Sequence, residues 1–375
     1  YNKSNYSVEI WYLNNVFIRN FKSNNRKLNF KNVTIFNIKD EVQFKELLKK
    51  NIKNSIFFLR YTYNYSNKKL FQILTTSKAK YIYSLGILPQ DGFNYISKDK
   101  KYFFIKLKQI FSKKIGYLKS IILNKIYLKL NRNFFNIKEA DFFYVKSKQE
   151  NKIKNHKLFG KNTKIIFGHH RDYDKYLDFL KIKKRIKKKK TALFIDQGVP
   201  YHPDNLEIGL LDLKEQNYYK SINNFLINLM QKYGYLIEIS AHPKVSLNRT
   251  KNNFKRFKVK QHETISQIYN SDLVITHAST ASNFAILFKK KLLFISNNLL
   301  NSQSYPFKAT FEFFASRLKK KVINIDQFDI KKLNSEIKII KKNYKNYEKK
   351  FIKFKGQNIH HASIIINYIK KYYAN

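Results

Sequence analysis

The stretch from Asp272 to Ile295 limits the possible folds of this chain more than any other. Leu273 to Thr276 and Leu292 to Ile295 are short apolar runs of strand type. Between them lie a small polar loop, His277 to Ser282, and an apolar segment, Phe284 to Phe288, of helical length and composition. The order is therefore strand, loop, helix, strand. Ser279, Thr280 and Ser282 at the helix start offer hydroxyls, backbone N–H groups and the positive end of the helix dipole, a set that suits an anion such as a phosphate. The same residues would serve equally as simple helix caps, so the rest of the chain has to decide.

The second half repeats this pattern. Ala192 to Ile195 reads as a strand ending in Asp196-Gln197-Gly198-Val199-Pro200. A helix is expected near Asn217 to Tyr233, with Tyr218, Ile222, Phe225, Leu226 and Leu229 on one face and Gly234 placed to stop it. Tyr235 to Ser240 is a second strand, ending in Ala241-His242-Pro243-Lys244. Phe257 to Lys260 reads as a third strand and Thr264 to Asn270 as a short helix. Val322 to Ile325 is a last strand, followed by two lysine-rich helices near Asn334 to Phe354 and Ile359 to Tyr373. Three strands thus end in polar loops: Asp196-Gln197-Gly198, His242-Pro243-Lys244 and His277 to Thr280. In an open parallel sheet these carboxyl ends share one edge, which is where such sheets bind ligands. Two histidines and a hydroxyl cluster on one edge favour a binding cleft over separate structural histidines.

In the first half, aromatic and β-branched runs recur at Val8 to Leu13, Val33 to Ile38, Ser55 to Arg60, Tyr81 to Leu85, Asp141 to Val145 and Lys164 to Phe167. Helical stretches lie between them, as at Asp40 to Lys50, where Val42, Phe44, Leu47 and Leu48 fall on one face. Strands alternating with helices imply a mostly parallel sheet. The expected fold class is α/β, with two Rossmann-like domains facing across a cleft and helices at the C-terminus. The nearly all-basic run Lys181 to Lys190 marks the boundary, giving domains over 1–185 and 186–333 and the C-terminal helices over 334–375. After the last strand of the first half, His169 and His170 are candidates for contacts in the cleft. Asp172-Tyr173-Asp174 has a D-x-D form compatible with a divalent metal, yet carboxylates at i and i+2 diverge on a helix, and acids favour a first helical turn for dipole reasons alone. No metal is expected.

Charge is the most conspicuous bulk property and also the easiest to misread. The 375 residues carry 75 Lys plus Arg against 25 Asp plus Glu, a net charge of +50. A nucleic-acid partner is one reading, supported by Tyr and Phe among the lysines. However, Asn, Ile, Phe and Tyr are abundant throughout, a bias of A- and T-rich codons, and the basic residues are spread along the whole chain, so no nucleic acid is expected. Such a field still favours anionic ligands and anionic membranes. Lys101 to Asn133 alternates Phe, Ile, Leu and Tyr with Lys and reads as a basic amphipathic segment, either a solvated face or a membrane contact. With no Cys, disulfides and thiolate metal sites are excluded. No apolar run is long enough to span a membrane. The chain starts at Tyr1 and not Met, which leaves a preceding segment open.

A His-Pro after a strand of the second domain, followed by a Ser-Thr that opens a helix, resembles the GT-B-fold glycosyltransferases that use CMP-activated sugars. These are the bacterial sialyltransferase, polysialyltransferase and Kdo-transferase-like enzymes of surface polysaccharide synthesis, including capsule and lipopolysaccharide. The resemblance covers Ala192 to Ile295 and, in the first half, only the rhythm of elements. It implies a donor phosphate and cytidine contacted by His242, Pro243, Ser279 and Thr280, with Gln197, Gly198, Lys244 and His277 on the same edge. The D/E-D/E-G motif of some of these enzymes has its nearest match in Asp196-Gln197-Gly198, which holds one acid and opens the second domain. The base for the acceptor hydroxyl is therefore sought among Asp196, His169 and Asp172, with Asp174 and His170 nearby. The implied enzyme is a metal-independent transferase without cofactor. It would move a CMP-linked nonulosonate or Kdo to a glycan or lipid-linked acceptor, in the cytoplasm or peripherally on the inner membrane face. The rival enzyme readings are a UDP-sugar epimerase and a CDP-polyol phosphotransferase.

Overall fold

The computed structural model describes residues 7–13, 16, 33–85, 115–146, 153–182, 190–201, 213–302, 305–353 and 358–374. The basic run expected as a boundary lies largely outside them, at 183–189. The chain forms two compact units, one from Tyr1–Leu85, Ser112–Tyr144 and Gln149–Ile166, the other mainly from Phe167–Asn375.

In the first unit β1 (Val8–Tyr12) pairs in parallel with β2 (Val33–Asn37). A four-stranded sheet holds β3 (Ile56–Leu59), β4 (Lys80–Leu85), β5 (Phe142–Val145) and β6 (Lys164–Phe167) in that order. Helix α1 (Glu41–Asn51) starts where Asp40 accepts the Gln43 N–H, and it buries Phe44 and Leu48. Helix α2 (Lys68–Thr76) buries Leu70, Phe71, Ile73 and Leu74. Helix α3 (Ile115–Lys129) packs through Tyr127, whose ring lies 4.8 Å from that of Tyr63 and 4.6 Å from that of Phe135.

The second unit is built on a six-stranded sheet. Its strands are β7 (Thr191–Ile195), β8 (Leu236–Ala241), β9 (Lys258–Gln261), β10 (Leu273–Thr276), β11 (Lys291–Ser296) and β12 (Val322–Asn324), in the spatial order β12-β11-β10-β7-β8-β9. Every pairing is parallel. Strands β7 and β10 are buried at every position, as expected of central strands covered on both faces. The chain adds β8 and β9 on one side of β7, then returns to add β10, β11 and β12 on the other. The reversal point of this doubly wound sheet therefore lies between β7 and β10.

Helix α4 (Arg171–Ile182) packs within this unit although it precedes the basic run. Helix α5 (Glu215–Tyr233) follows β7 and ends at Gly234, whose φ of 67° suits a glycine and whose N–H bonds to the Met230 carbonyl. It buries Tyr218, Ile222, Phe225, Leu226 and Leu229 as the spacing predicts, and Tyr219 as well. Helices α6 (Leu247–Asn253), α7 (Thr264–Asn270) and α8 (Ser282–Leu287) connect the following strands, and α9 (Tyr305–Arg317) leads to β12. The single helix expected over Asn334 to Phe354 is instead broken into Leu333–Glu336 and α10 (Lys341–Tyr347), continued by a wide turn over Glu348–Ile352. The Lys320 ammonium donates to the carbonyls of Glu336 and Lys338, a tertiary contact that competes with helix continuation. The last helix, α11 (His361–Ala374), falls where expected.

Candidate functional site at the reversal point of the second sheet

The loop after β7 is shaped by its own sequence. Asp196 Oδ1 accepts the Gly198 N–H at 2.9 Å, an Asx turn, and Gly198 takes φ +58°. A Cβ at Gly198 would lie 2.4 Å from Val245 Cγ2 and 3.7 Å from the His242 Cβ, so the loop after β8 approaches this backbone too closely for any other residue. Gln197 Oε1 accepts the Ala278 N–H at 2.8 Å and ties the β7 loop to the β10 loop across the reversal point. The three strand-end loops singled out in the sequence thus interlock at one edge.

Asp196 is 1% exposed. Burial pushes its carboxyl up to about 6, against the opposing bonds from the Gly198 N–H and from the Tyr219 hydroxyl at 3.4 Å. Buried and turned into the loop, it positions Gly198. His277, expected at the donor, is fully buried. Its Nε2 meets the Tyr218 hydroxyl at 2.7 Å and its Nδ1 the Ile295 carbonyl at 2.7 Å, while Phe311 stacks on the ring. Burial lowers its pKa to about 4, so the ring is neutral. His277 braces β10 against β11 and α5 as a core residue.

The remaining donor candidates do lie at the surface of the edge. His242 is half-buried, and Pro243 and Lys244 are exposed. The His242 carbonyl accepts from Gln261 Nε2 at 2.7 Å, and its Nδ1 accepts the Lys244 N–H at 3.3 Å. In the neutral ring the proton therefore sits on Nε2, which is the donor-bearing nitrogen. Ser279 is half-buried and Thr280 exposed. Ser279 Oγ accepts the Ala281 N–H, and the carbonyls of Ser279 and Thr280 accept from Ser282 and Asn283. Among the described residues the N–H groups of Ser279 and Thr280 and the Thr280 hydroxyl make no hydrogen bond, so three donors are unused at the loop tip. Helix α8 behind them has six residues and contributes little dipole; the loop itself carries the donors. Ser282 does not join them, because its side chain is fully buried.

His169, Asp172 and Asp174 have been drawn into the packing of α4. His169 is 1% exposed and its ring lies edge-on to Tyr173 at 4.8 Å. Asp172 Oδ2 accepts from Asn283 Nδ2 at 2.8 Å and lies 3.1 Å from His170 Nδ1. Burial pushes the Asp172 carboxyl up, but the bonds from His170 and Asn283 outweigh it and hold the pKa below the usual carboxylate range. Asp174 accepts the His361 N–H at 2.9 Å and pairs with the His361 ring. The D-x-D residues therefore fasten α4 to α8 and to α11. Among the described residues no group of three or more His, Cys, Asp or Glu is placed to hold a metal ion.

Two features escaped the sequence reading. The Tyr218–Tyr219 pair of α5 bonds to both His277 and Asp196, while the spacing marks only Tyr218 for the buried face. A cavity of about 510 Å³ opens beside α5, lined among others by Asn217, Lys220, Ser221, Asn297 and Asp326. It adjoins the ends of β11 and β12 and not the reversal point. Polar residues after each of those strands were the available signal, the same one that marked the other three loops.

No protein family and no curated protein matches the chain. Among solved structures it is similar to a Staphylococcus aureus MnaA–UDP co-structure, at 12% identity over 91% of this chain and 82% of that one, with a TM-score of 0.45. It is also similar to the Methanocaldococcus jannaschii UDP-GlcNAc 2-epimerase in complex with UDP-GlcNAc and UDP, at 13% identity over 88% and 79% with a TM-score of 0.43. A third is Phytolacca americana UGT2 complexed with UDP-2fluoro-glucose and pterostilbene, at 9% identity over 93% and 84% with a TM-score of 0.43. Likeness at this level carries no argument about activity, which has to rest on the site.

Proposed function

We propose that the second unit binds a nucleotide sugar at the carboxyl edge of its sheet, and that the protein transfers the sugar to a glycan or lipid-linked acceptor. The observation that carries the reading is the reversal point itself. There the loops after β7 and β10 are locked by Gln197 and Ala278, and the Ser279–Thr280 tip presents unused donors beside it. Doubly wound sheets bind ligands at this point. Backbone N–H groups and a hydroxyl suit phosphate oxygens, and His242 Nε2–H and the Lys244 ammonium on the neighbouring loop add charge-assisted donors. Breaking a sugar–phosphate bond puts charge on the departing phosphate, and fixed donors stabilise that charge without a metal. The sequence resemblance favours a CMP-linked nonulosonate or Kdo as donor.

Calorimetric titration with CMP, CDP, UDP and GDP tests this, repeated on His242→Ala and on the double variant Ser279→Ala with Thr280→Ala. Selective binding of CMP, weakened by about 1–3 kcal/mol in either variant, is the expected result. Preference for UDP, with conversion of UDP-linked amino sugars to their epimers, would keep the site and replace the transferase by an epimerase. Wild-type affinity in both variants would remove the site assignment.

A further inference from the structure

Helix α3 of the first unit is apolar on the face that should meet water. At about 100° per residue Tyr127 and Asn124 point to one side of the helix. Tyr127 is 1% exposed, and Asn124 Oδ1 accepts the Tyr65 N–H at 3.0 Å, which anchors that side to the unit. Ile122 and Ile126, spaced four apart, point away from that side and are 55% and 49% exposed, and Leu130, just past the helix end, is 36% exposed. Phe134 in the turn that follows is 74% exposed, while its neighbour Phe135 packs on Tyr127. A helix apolar on both faces is ordinarily covered on both. Here the outer stripe stays open among the described residues.

The charge around the stripe selects what covers it. Lys125 and Lys129, both exposed, flank Ile122 and Ile126 on the same side of the helix. No Asp or Glu occurs between Asp99 and Glu139, and the whole chain carries +50. A second copy of so basic a chain is repelled. Nucleic acid would engage the lysines but gain nothing from an isoleucine stripe ending in a bare phenylalanine. A bilayer surface with anionic headgroups satisfies both: the apolar side chains enter the headgroup and acyl boundary, and the lysines meet the phosphates. We infer that the face formed by Ile122, Ile126, Leu130 and Phe134, with Lys125 and Lys129, docks the protein on anionic lipid membranes.

The inference is independent of the donor site, and its test does not involve nucleotide. The full chain is sedimented with phosphatidylcholine vesicles lacking or containing phosphatidylglycerol, at low and high salt. Three forms are compared: wild type, Ile122→Asp with Ile126→Asp and Phe134→Asp, and Lys125→Glu with Lys129→Glu. The replaced side chains are all exposed, and circular dichroism checks that the fold is kept. Wild type should bind only vesicles containing phosphatidylglycerol, and salt should weaken the binding. The apolar variant should bind roughly tenfold less or worse, and the lysine variant should lose most of its dependence on phosphatidylglycerol. Equal binding by wild type and the apolar variant overturns the inference. So does self-association that the apolar variant abolishes without any vesicle binding, or tight oligonucleotide binding that the vesicles do not compete.

Discussion

Replacing Gly198 by alanine tests whether the interlocked loops hold the candidate site together. The cost has two separable parts. A residue with a Cβ at φ +58° loses about 1–2 kcal/mol relative to its preferred backbone region. The new methyl also falls 2.4 Å from Val245 Cγ2, far inside contact distance, and relieving that overlap costs a further 1–3 kcal/mol or so. The expected total is about 2–5 kcal/mol, a large share of the 5–15 kcal/mol or so that keeps a typical domain folded. Urea unfolding followed by circular dichroism measures it, and a cycle with Val245→Ala divides it. In the Val245→Ala background only the backbone part should remain, so the two changes should be non-additive by about 1–3 kcal/mol. Because Gly198 lies between the Gln197 link and the His242 turn, nucleotide affinity should fall with stability. A Gly198→Ala protein within about 0.5 kcal/mol of wild type, or a cycle with no coupling, would refute the close approach of the β7 and β8 loops.

Gln197→Ala leaves the Ala278 N–H without its acceptor and should cost about 1–2 kcal/mol, with looser nucleotide binding; Gln197→Glu, which keeps an acceptor, should recover most of both in the same unfolding and calorimetry assays. His277 has a folded pKa of about 4, below its unfolded value of about 6.5, so the unfolded chain binds its proton first and stability falls as pH drops through that window. His277→Gln should flatten the decline in urea-melt stability between pH of about 6.5 and 4, whereas an unchanged slope would place the titration elsewhere. Asp174 is held below the usual carboxylate range: burial pushes it up, and the His361 ring and N–H overcome that. Its contribution is therefore present above the unfolded pKa of about 4 and lost as pH falls through the lower folded value. Asp174→Ala should free α11 at neutral pH, seen as faster hydrogen exchange over His361–Ala374, and acidification below about pH 4 should do the same to wild type.

Much of the fold was legible because its signals are local. Every strand of the second sheet was placed within about two residues, since each is a short apolar run bounded by polar or turn residues. Gly234 marked the end of α5 and the spacing of Tyr218, Ile222, Phe225, Leu226 and Leu229 marked its face. The break at Ile337 to Ile340 was not legible, because the group competing for the helix carbonyls, Lys320, is distant in sequence. The same limit applies to the site. Spacing put Asp196, His242, His277 and Ser279 at the ends of strands, but strand-end position says nothing about which way a side chain turns.

The sequence by itself determined the alternation of strands and helices, the polar strand ends and the glycine that ends α5, all consequences of residue type within a few positions. Only the tertiary structure decided the strand order that puts β7 beside β10, and with it the place of the reversal point. It also turned Asp196 and His277 inward and left the Ser279–Thr280 tip and the His242 loop outward. The reason is physical: a buried ionisable group must find a partner, and whether it does depends on residues far away in the chain. His277 finds Tyr218 and the Ile295 carbonyl, and Asp172 finds Asn283, so these groups stabilise the scaffold, while the Ser279–Thr280 tip stays at its edge.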